Sequence, residues 1–213
     1  MRLFSKREPK HVTFVQTLYD AKPKVTRFQP GFVADLRSFI LVKTRPGMEK
    51  QILDRFKALP EVREIYLITG KFDLLVGIES EETELDPRQK VAQIVVEKVR
   101  KAGGIDDTST IIPIDSHYRA TPTPSDRPVI KSFVFVQSET GKERPLMNKI
   151  LEIPEALATH LLFGKSDILV ELEVEKSFVN PPPQRVAVIV DRIGKFSEVK
   201  DTQTFVPLES VVK

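Results

Sequence analysis

The chain of 213 residues contains no cysteine, which excludes disulfides, thiolate zinc sites and cysteine nucleophiles. Its histidines are only His11, His117 and His160, and their spacing fits neither a metal site nor a catalytic triad. No run of eighteen apolar residues is present. The charged start Arg2, Lys6, Arg7 and Glu8 leads into Val12-Thr13-Phe14-Val15-Gln16, which is too short and too polar for a signal-peptide core. A cytoplasmic protein without a membrane partner is therefore expected. Glycine is sparse, and the single pair Gly103-Gly104 ends a helical pattern instead of opening a helix, so there is no phosphate-cradling loop. Nothing points to a catalytic residue, a metal or a cofactor, and the expectation is a protein that is not an enzyme.

Charge is also missing where a nucleic-acid surface would need it. The formal net charge is +3 and the pI about 9.0. Residues 1–37 alone carry eight basic side chains (Arg2, Lys6, Arg7, Lys10, Lys22, Lys24, Arg27, Arg37) against three acidic ones (Glu8, Asp20, Asp35). The basic character thus belongs to an N-terminal extension, and the rest of the chain is slightly acidic. Within the extension, Val12, Phe14, Val15, Leu18 and Tyr19 form one apolar patch among prolines. It suits a docking arm, a tail ordered only by contact, or an arm for an anionic surface. The acidic run at residues 79–84 reads most simply as a solvated loop, with a weak divalent-cation site as the alternative.

What the chain does contain is a repeat. Ile68-Thr69-Gly70-Lys71-Phe72-Asp73-Leu74-Leu75-Val76 returns 94 residues later as Leu162-Phe163-Gly164-Lys165-Ser166-Asp167-Ile168-Leu169-Val170. The same offset aligns Ser38-Phe39-Ile40-Leu41-Val42 with Ser132-Phe133-Val134-Phe135-Val136, Pro60-Glu61 with Pro154-Glu155, and Asp107-Thr108-Ser109-Thr110 with Asp201-Thr202-Gln203-Thr204. Each copy reads as strand, helix, hairpin, helix, strand. In the first, Met48, Ile52, Leu53, Phe56 and Leu59 recur at helical spacing after Pro46-Gly47, and Asp86 can cap a helix that starts at Pro87 and carries Val91, Val95 and Val99 on one line. The order β-α-β-β-α-β predicts an α+β, ferredoxin-like arrangement, with a four-stranded antiparallel sheet and both helices on one face. Chain boundaries follow the register: an extension at 1–37, a first repeat at 38–114, a Pro/Thr-rich linker at 115–131 and a second repeat at 132–208.

The strands are apolar on both sides. Phe39 and Leu41 oppose Ile40 and Val42, and Leu74, Val76 and Ile78 oppose Leu75 and Gly77. A sheet with one wet face shows a cleaner polar alternation. The two repeats are therefore expected to pack sheet to sheet, as an intramolecular pseudo-dimer.

The run from Leu59-Pro60-Glu61-Val62 through Gly70-Lys71-Phe72-Asp73, with Asp107-Thr108-Ser109-Thr110 at the last strand, resembles the effector-binding (RAM) domain of Lrp/AsnC transcriptional regulators, closely over 38–114 and more loosely over 132–208. The resemblance implies domains that pair through their sheets, assemble into oligomers and bind amino acids or related molecules at interfaces. The family's helix-turn-helix domain is larger than the 37 residues available here, so the chain resembles stand-alone RAM proteins in tandem. Sequence-specific DNA binding is not expected, and partners would be copies of itself or Lrp/AsnC-type regulators. Carried over position by position, the ligand-facing residues are Gly70, Asp73, Thr108 and Thr110 in the first repeat, and Gly164, Asp167, Thr202 and Thr204 in the second. An aspartate can accept from an ammonium, while hydroxyls and turn N–H groups can donate to a carboxylate. The exchange of Tyr66 for His160 and of Phe72 for Ser166 makes the two sites differ.

Three classes of function follow: an amino-acid-sensing regulatory module, an oligomeric scaffold without a ligand, and an enzyme of the dimeric α/β-barrel type. A filled sheet interface with a pocket near Asp73 and Thr108 favours the first. A hydrophobic cavity between the sheets with a lone polar group favours the last.

Overall fold

The structure, a computed structural model, describes residues 25–27, 36–80, 86–119, 128–176 and 181–213. The apolar patch at residues 12–19 and most of the acidic run after Glu79 lie outside the described residues. In chain order the elements are β1 (Val25–Arg27), β2 (Leu36–Thr44), α1 (Glu49–Lys57), β3 (Val62–Leu67), β4 (Leu74–Ser80), α2 (Pro87–Ile94), β5 (Ile105–Ile111), β6 (Asp115–Arg119), β7 (Val129–Ser138), α3 (Glu143–Leu151), β8 (Ala156–Leu161), β9 (Ile168–Glu175), α4 (Pro182–Gly194), β10 (Val199–Phe205) and β11 (Glu209–Val212). The βαββαβ order read from the sequence is present twice, and the class is α+β.

Local chemistry explains the helix starts. Gly47, at φ +81°, turns the chain into α1, and its N–H donates to the carboxylate of Glu49 at 3.2 Å. Gly141, at φ +82°, does the same for α3 through Glu143 at 2.9 Å. Asp86 caps α2 by accepting from the Arg88 N–H at 2.7 Å, with Pro87 in the first turn. Beyond Ile94 the helix continues as a π-helical turn, so that Val91, Val95 and Val99 all stay buried.

The strands form two antiparallel sheets, ordered β11-β3-β4-β2-β5 and β1-β6-β8-β9-β7-β10. Alternation then assigns the cores. Ile40, Val42, Val76 and Ile78 meet the first pair of helices; Val134, Val136, Val170 and Leu172 meet the second. Opposite faces of the strands send Phe39, Leu41, Tyr66, Leu75, Phe133, Phe135, Leu169 and Phe205 into a third core between the sheets. There Tyr66 and Phe133 meet edge to face at 4.8 Å between ring centroids, and Phe135 and Phe205 at 5.6 Å. Each buried ring contributes on the order of 2 kcal/mol. The pseudo-dimer expected from two-sided strands is formed.

The joint is closed further by exchanged strands. The stretch 115–131 opens in β6, which leaves the first repeat and pairs with β8 of the second sheet. β11, 94 residues later in register, leaves the second repeat and pairs with β3 of the first. Matching hydrogen bonds lead into both, Ile114 N–H to Leu161 O at 2.9 Å and Leu208 N–H to Leu67 O at 2.8 Å. Each repeat thus completes the other's sheet, and Val211 packs on the first helix-side core.

This exchange predicts that the repeats unfold as one unit. Calorimetry on the full chain is expected to show a single two-state transition. Removing residues 208–213 should lower stability by about 2–4 kcal/mol through the lost β11 ladder and the exposed β3 edge; two separate transitions, or an unchanged melting temperature after truncation, would contradict it.

Candidate functional site

Two sites lie on the seam between the sheets. The first is a buried polar cluster. β2 contributes Arg37 and β7 its repeat counterpart Lys131; β3 contributes Tyr66 and β8 its counterpart His160. The two carboxylates are Glu64 and Glu171. They are not counterparts: Glu64 faces Gly77 in the first sheet, whereas Glu171 faces Ala158 in the second. Each repeat therefore places one carboxylate beside one small residue, on opposite strands. Gly77 is fixed by this arrangement, since a Cβ there would lie 2.6 Å from Glu64 Cγ.

Glu64 accepts from Arg37, from the Tyr66 hydroxyl and, at 3.0 Å, from Lys131 Nζ. Glu171, 1% exposed, accepts from Arg37 Nη2 at 2.9 Å and from His160 Nε2 at 2.9 Å, with Lys131 Nζ at 3.9 Å. The ionised carboxylate requires the proton on Nε2, while His160 Nδ1 lies 2.8 Å from Ser116 Oγ. Burial by itself pushes the Glu171 carboxyl up, but the His160 hydrogen bond and the charges of Arg37 and Lys131 outweigh it and hold the group at about 2, below its ordinary 4.5. Burial and the neighbouring Glu64 push the Tyr66 hydroxyl up, so it stays a donor. With two cations and two carboxylates in mutual contact, the cluster is paired within itself.

The second site is a cleft of about 510 Å³ at the end of the third core. The Gly-Lys turns supply Lys71 and Phe72 from one repeat and Gly164, Lys165 and Ser166 from the other; β5 supplies Asp107, Thr108, Ser109, Thr110 and Ile111; Gln203 and Phe205 come from β10. Leu41, Phe135 and Leu162 add apolar surface. Several lining groups are repeat counterparts: Leu41 with Phe135, Lys71 with Lys165, Ser109 with Gln203. The cleft is thus built about the pseudo-twofold relation between the repeats.

Of the residues the resemblance points to, Thr108, Thr110 and Gly164 border this cleft. Gly70 and Gly164 sit at φ +122° and +145°, which only glycine adopts freely, and nothing crowds either. Asp73 accepts from the Thr44 N–H at 2.8 Å, the Thr44 hydroxyl at 3.0 Å and Lys43 Nζ at 3.0 Å. Asp167 accepts from the Ser138 N–H at 2.7 Å and its hydroxyl at 3.3 Å. Both aspartates tie their turn to the end of the neighbouring strand. Thr202 and Thr204 alternate away from the cleft, which Gln203 and Phe205 enter instead. The sequence reading missed the polar cluster. Its signal was Glu171 inside Leu169-Val170-Glu171-Leu172 at the position where the first repeat has Gly77. Among the described residues no group of histidine, cysteine or carboxylate side chains could hold a metal ion, and no helix is long and apolar enough to cross a membrane.

Residues 37–123 match the Lrp/AsnC ligand binding domain. An uncharacterised HTH-type transcriptional regulator of Pyrococcus abyssi is 27% identical over 101 residues, 46% of this chain and 61% of that protein. One from Pyrococcus furiosus is 25% identical over 97 residues, 44% of this chain and 59% of that protein. The chain thus spans less than two thirds of these relatives. Among solved structures, a siroheme decarboxylase bound to an iron-uroporphyrin III analogue superposes with a TM-score of 0.60 at 9% identity, over 87% of this chain and 75% of that one. At that identity the likeness is one of fold.

Two outcomes test the roles assigned to the carboxylates. Partial burial pushes Asp73 up, but its donors, Thr44 and Lys43, bring it below its ordinary value, so Asp73→Ala should cost about 1–3 kcal/mol of stability by urea denaturation. Because the folded carboxyl of Glu171 is depressed, its contribution is full above the unfolded value of 4.5 and disappears as pH falls toward 2. Glu171→Gln should therefore destabilise by on the order of 3 kcal/mol at pH 7, and the gap to wild type should narrow below pH 4. A gap that does not change with pH would contradict the ionised cluster.

Proposed function

Residues 37–123 are an Lrp/AsnC ligand-binding domain, and from that premise we propose that the chain is a small-molecule-sensing regulatory module, not an enzyme, with the seam cleft as its effector site. Residues 38–114 and 132–208 act as its two sensor units, with 1–37 as an extension and 115–131 as their connection. An amino acid is the first ligand class to test. The module acts in the cytoplasm by associating with itself or with DNA-binding regulators of the Lrp/AsnC type.

The observation that carries this reading is the composition of the cleft. It takes Lys71, Phe72 and Thr108 from one repeat and Gly164, Lys165 and Gln203 from the other. A ligand that bridges both prefers one relative placement of the sheets, and a ligand shifts an equilibrium only through such a preference. Among the described residues the interior of the seam is lined by packed aromatic and aliphatic side chains, and the cleft lies at its end beside Thr108. That distribution favours a sensor over a barrel enzyme, which needs its cavity inside the seam.

A thermal-shift screen against the amino acids, with light scattering on the same samples, tests the proposal. One ligand is expected to raise the melting temperature by several degrees, since ligand at a hundred times its Kd adds about 2.7 kcal/mol. Ser166→Trp, which fills the cleft from a surface turn, should remove that rise and leave the unliganded protein stable. No shift with any ligand, together with a discrete large assembly, would favour the ligand-free scaffold.

A further inference from the structure

We propose that the effector carries a dianionic head, a dicarboxylate or a phosphate monoester, on an apolar body. The inference rests on the sensor reading above and specifies its ligand. Lys71 and Lys165 are repeat counterparts, one on each Gly-Lys turn, and both border the cleft. Neither forms an ion pair with any described carboxylate, whereas Lys43, Lys98, Lys131 and Lys149 all do. Lys71 is instead held over the Phe72 ring, with Nζ 5.3 Å from its centroid.

Opposing these charges the lining has one acid, Asp107, and one of its oxygens already accepts from the Thr108 N–H at 2.8 Å. The two lysines thus outnumber the one acid of the lining, and neither is ion-paired with a described carboxylate. A zwitterionic amino acid has no net charge, so it leaves the excess of the two lysines over Asp107 uncompensated. A dianion satisfies both lysines at once with charge-assisted hydrogen bonds, while Ser109 and Gln203 can donate to its remaining oxygens. Below the cations, Phe72, Phe135 and Phe205 give the body of the ligand an apolar floor.

The test is isothermal titration of the full chain with four probes that share one ring and differ in charge. Phenyl phosphate and phenylsuccinate are dianions near pH 7.5, phenylacetate is a monoanion, and phenylalanine is a zwitterion. Both dianions, or one of them, should bind about tenfold or more tightly than the other two, and the stronger identifies the head group as phosphate or dicarboxylate. Lys71→Met and Lys165→Met should each weaken that probe about tenfold without altering the melting temperature, and raising salt should weaken it in the parent. Phenylalanine binding as tightly as the dianions overturns the dianion assignment and leaves the sensor reading intact. Dianion binding indifferent to both lysine variants overturns the assignment of the head-group site. Silence from all four probes overturns the ligand class, and the sensor reading falls with it only if the amino-acid screen is also silent.

Discussion

Both sheets are apolar on both faces, and helices can cover only one face of each. Everything else in the molecule follows from how the second face is buried. Phe39, Leu41 and Tyr66 on one sheet and Phe133, Phe135 and Leu169 on the other leave water only by meeting each other. Two repeats on one chain make that meeting intramolecular, so its entropic cost is that of closing a loop and not of bringing two molecules together. The exchanged strands β11 and β6 then cover the β3 edge of one sheet and the β8 edge of the other and make either repeat incomplete without its partner.

A wholly apolar seam of this kind is tolerant of sliding, because hydrophobic contact is non-directional. The polar cluster supplies what the rings do not. Arg37 must reach Glu64 on its own sheet and Glu171 on the facing one, and Lys131 must do the same from the other side. A shift of one strand position would leave buried charges unpaired, at a cost of several kcal/mol. The exchange of Glu64 with Ala158 and of Gly77 with Glu171 sharpens this. It puts one carboxylate at each of two unlike positions, so the two halves of the cluster interlock instead of mirroring each other.

The repeat, the order of elements and the sheet-to-sheet packing were legible because each rests on local periodicity: an offset of 94 residues, helical spacing in Ile52, Leu53 and Phe56, and central strands apolar on both sides. What was not legible depends on partners distant in sequence. Asp115–Arg119 and Glu209–Val212 are short, partly polar, and follow prolines, so nothing local marks them as strands; only their common register hinted at a shared role. Arg37 counted as part of a basic extension because its carboxylates lie 27 and 134 residues away. The turn residues Gly70 and Asp73 were read for a ligand site from resemblance. Gly70 owes its identity to a positive φ, and Asp73 holds Thr44, a partner that the turn sequence does not reveal.

The cleft stands in a different relation to the chain from the cluster, although both lie on the same seam. The cluster's charges are spent on one another, and it fixes the placement of the sheets. The cleft's cations have no such partners, and it is open to solvent at the place where the aromatic packing ends. Between them lie the ring pairs Tyr66–Phe133 and Phe135–Phe205 of one shared core, close-packed and therefore poorly compressible. On the proposed sensor reading, a molecule seated on Phe135 and Phe205 would bear on the same core that holds Tyr66, which donates to Glu64. On that reading, occupancy at one end of the seam and charge pairing at the other would both bear on the placement of one sheet over its partner. A seam locked at one end and open at the other would, on the proposed sensor reading, let a ligand select among small displacements of the sheets.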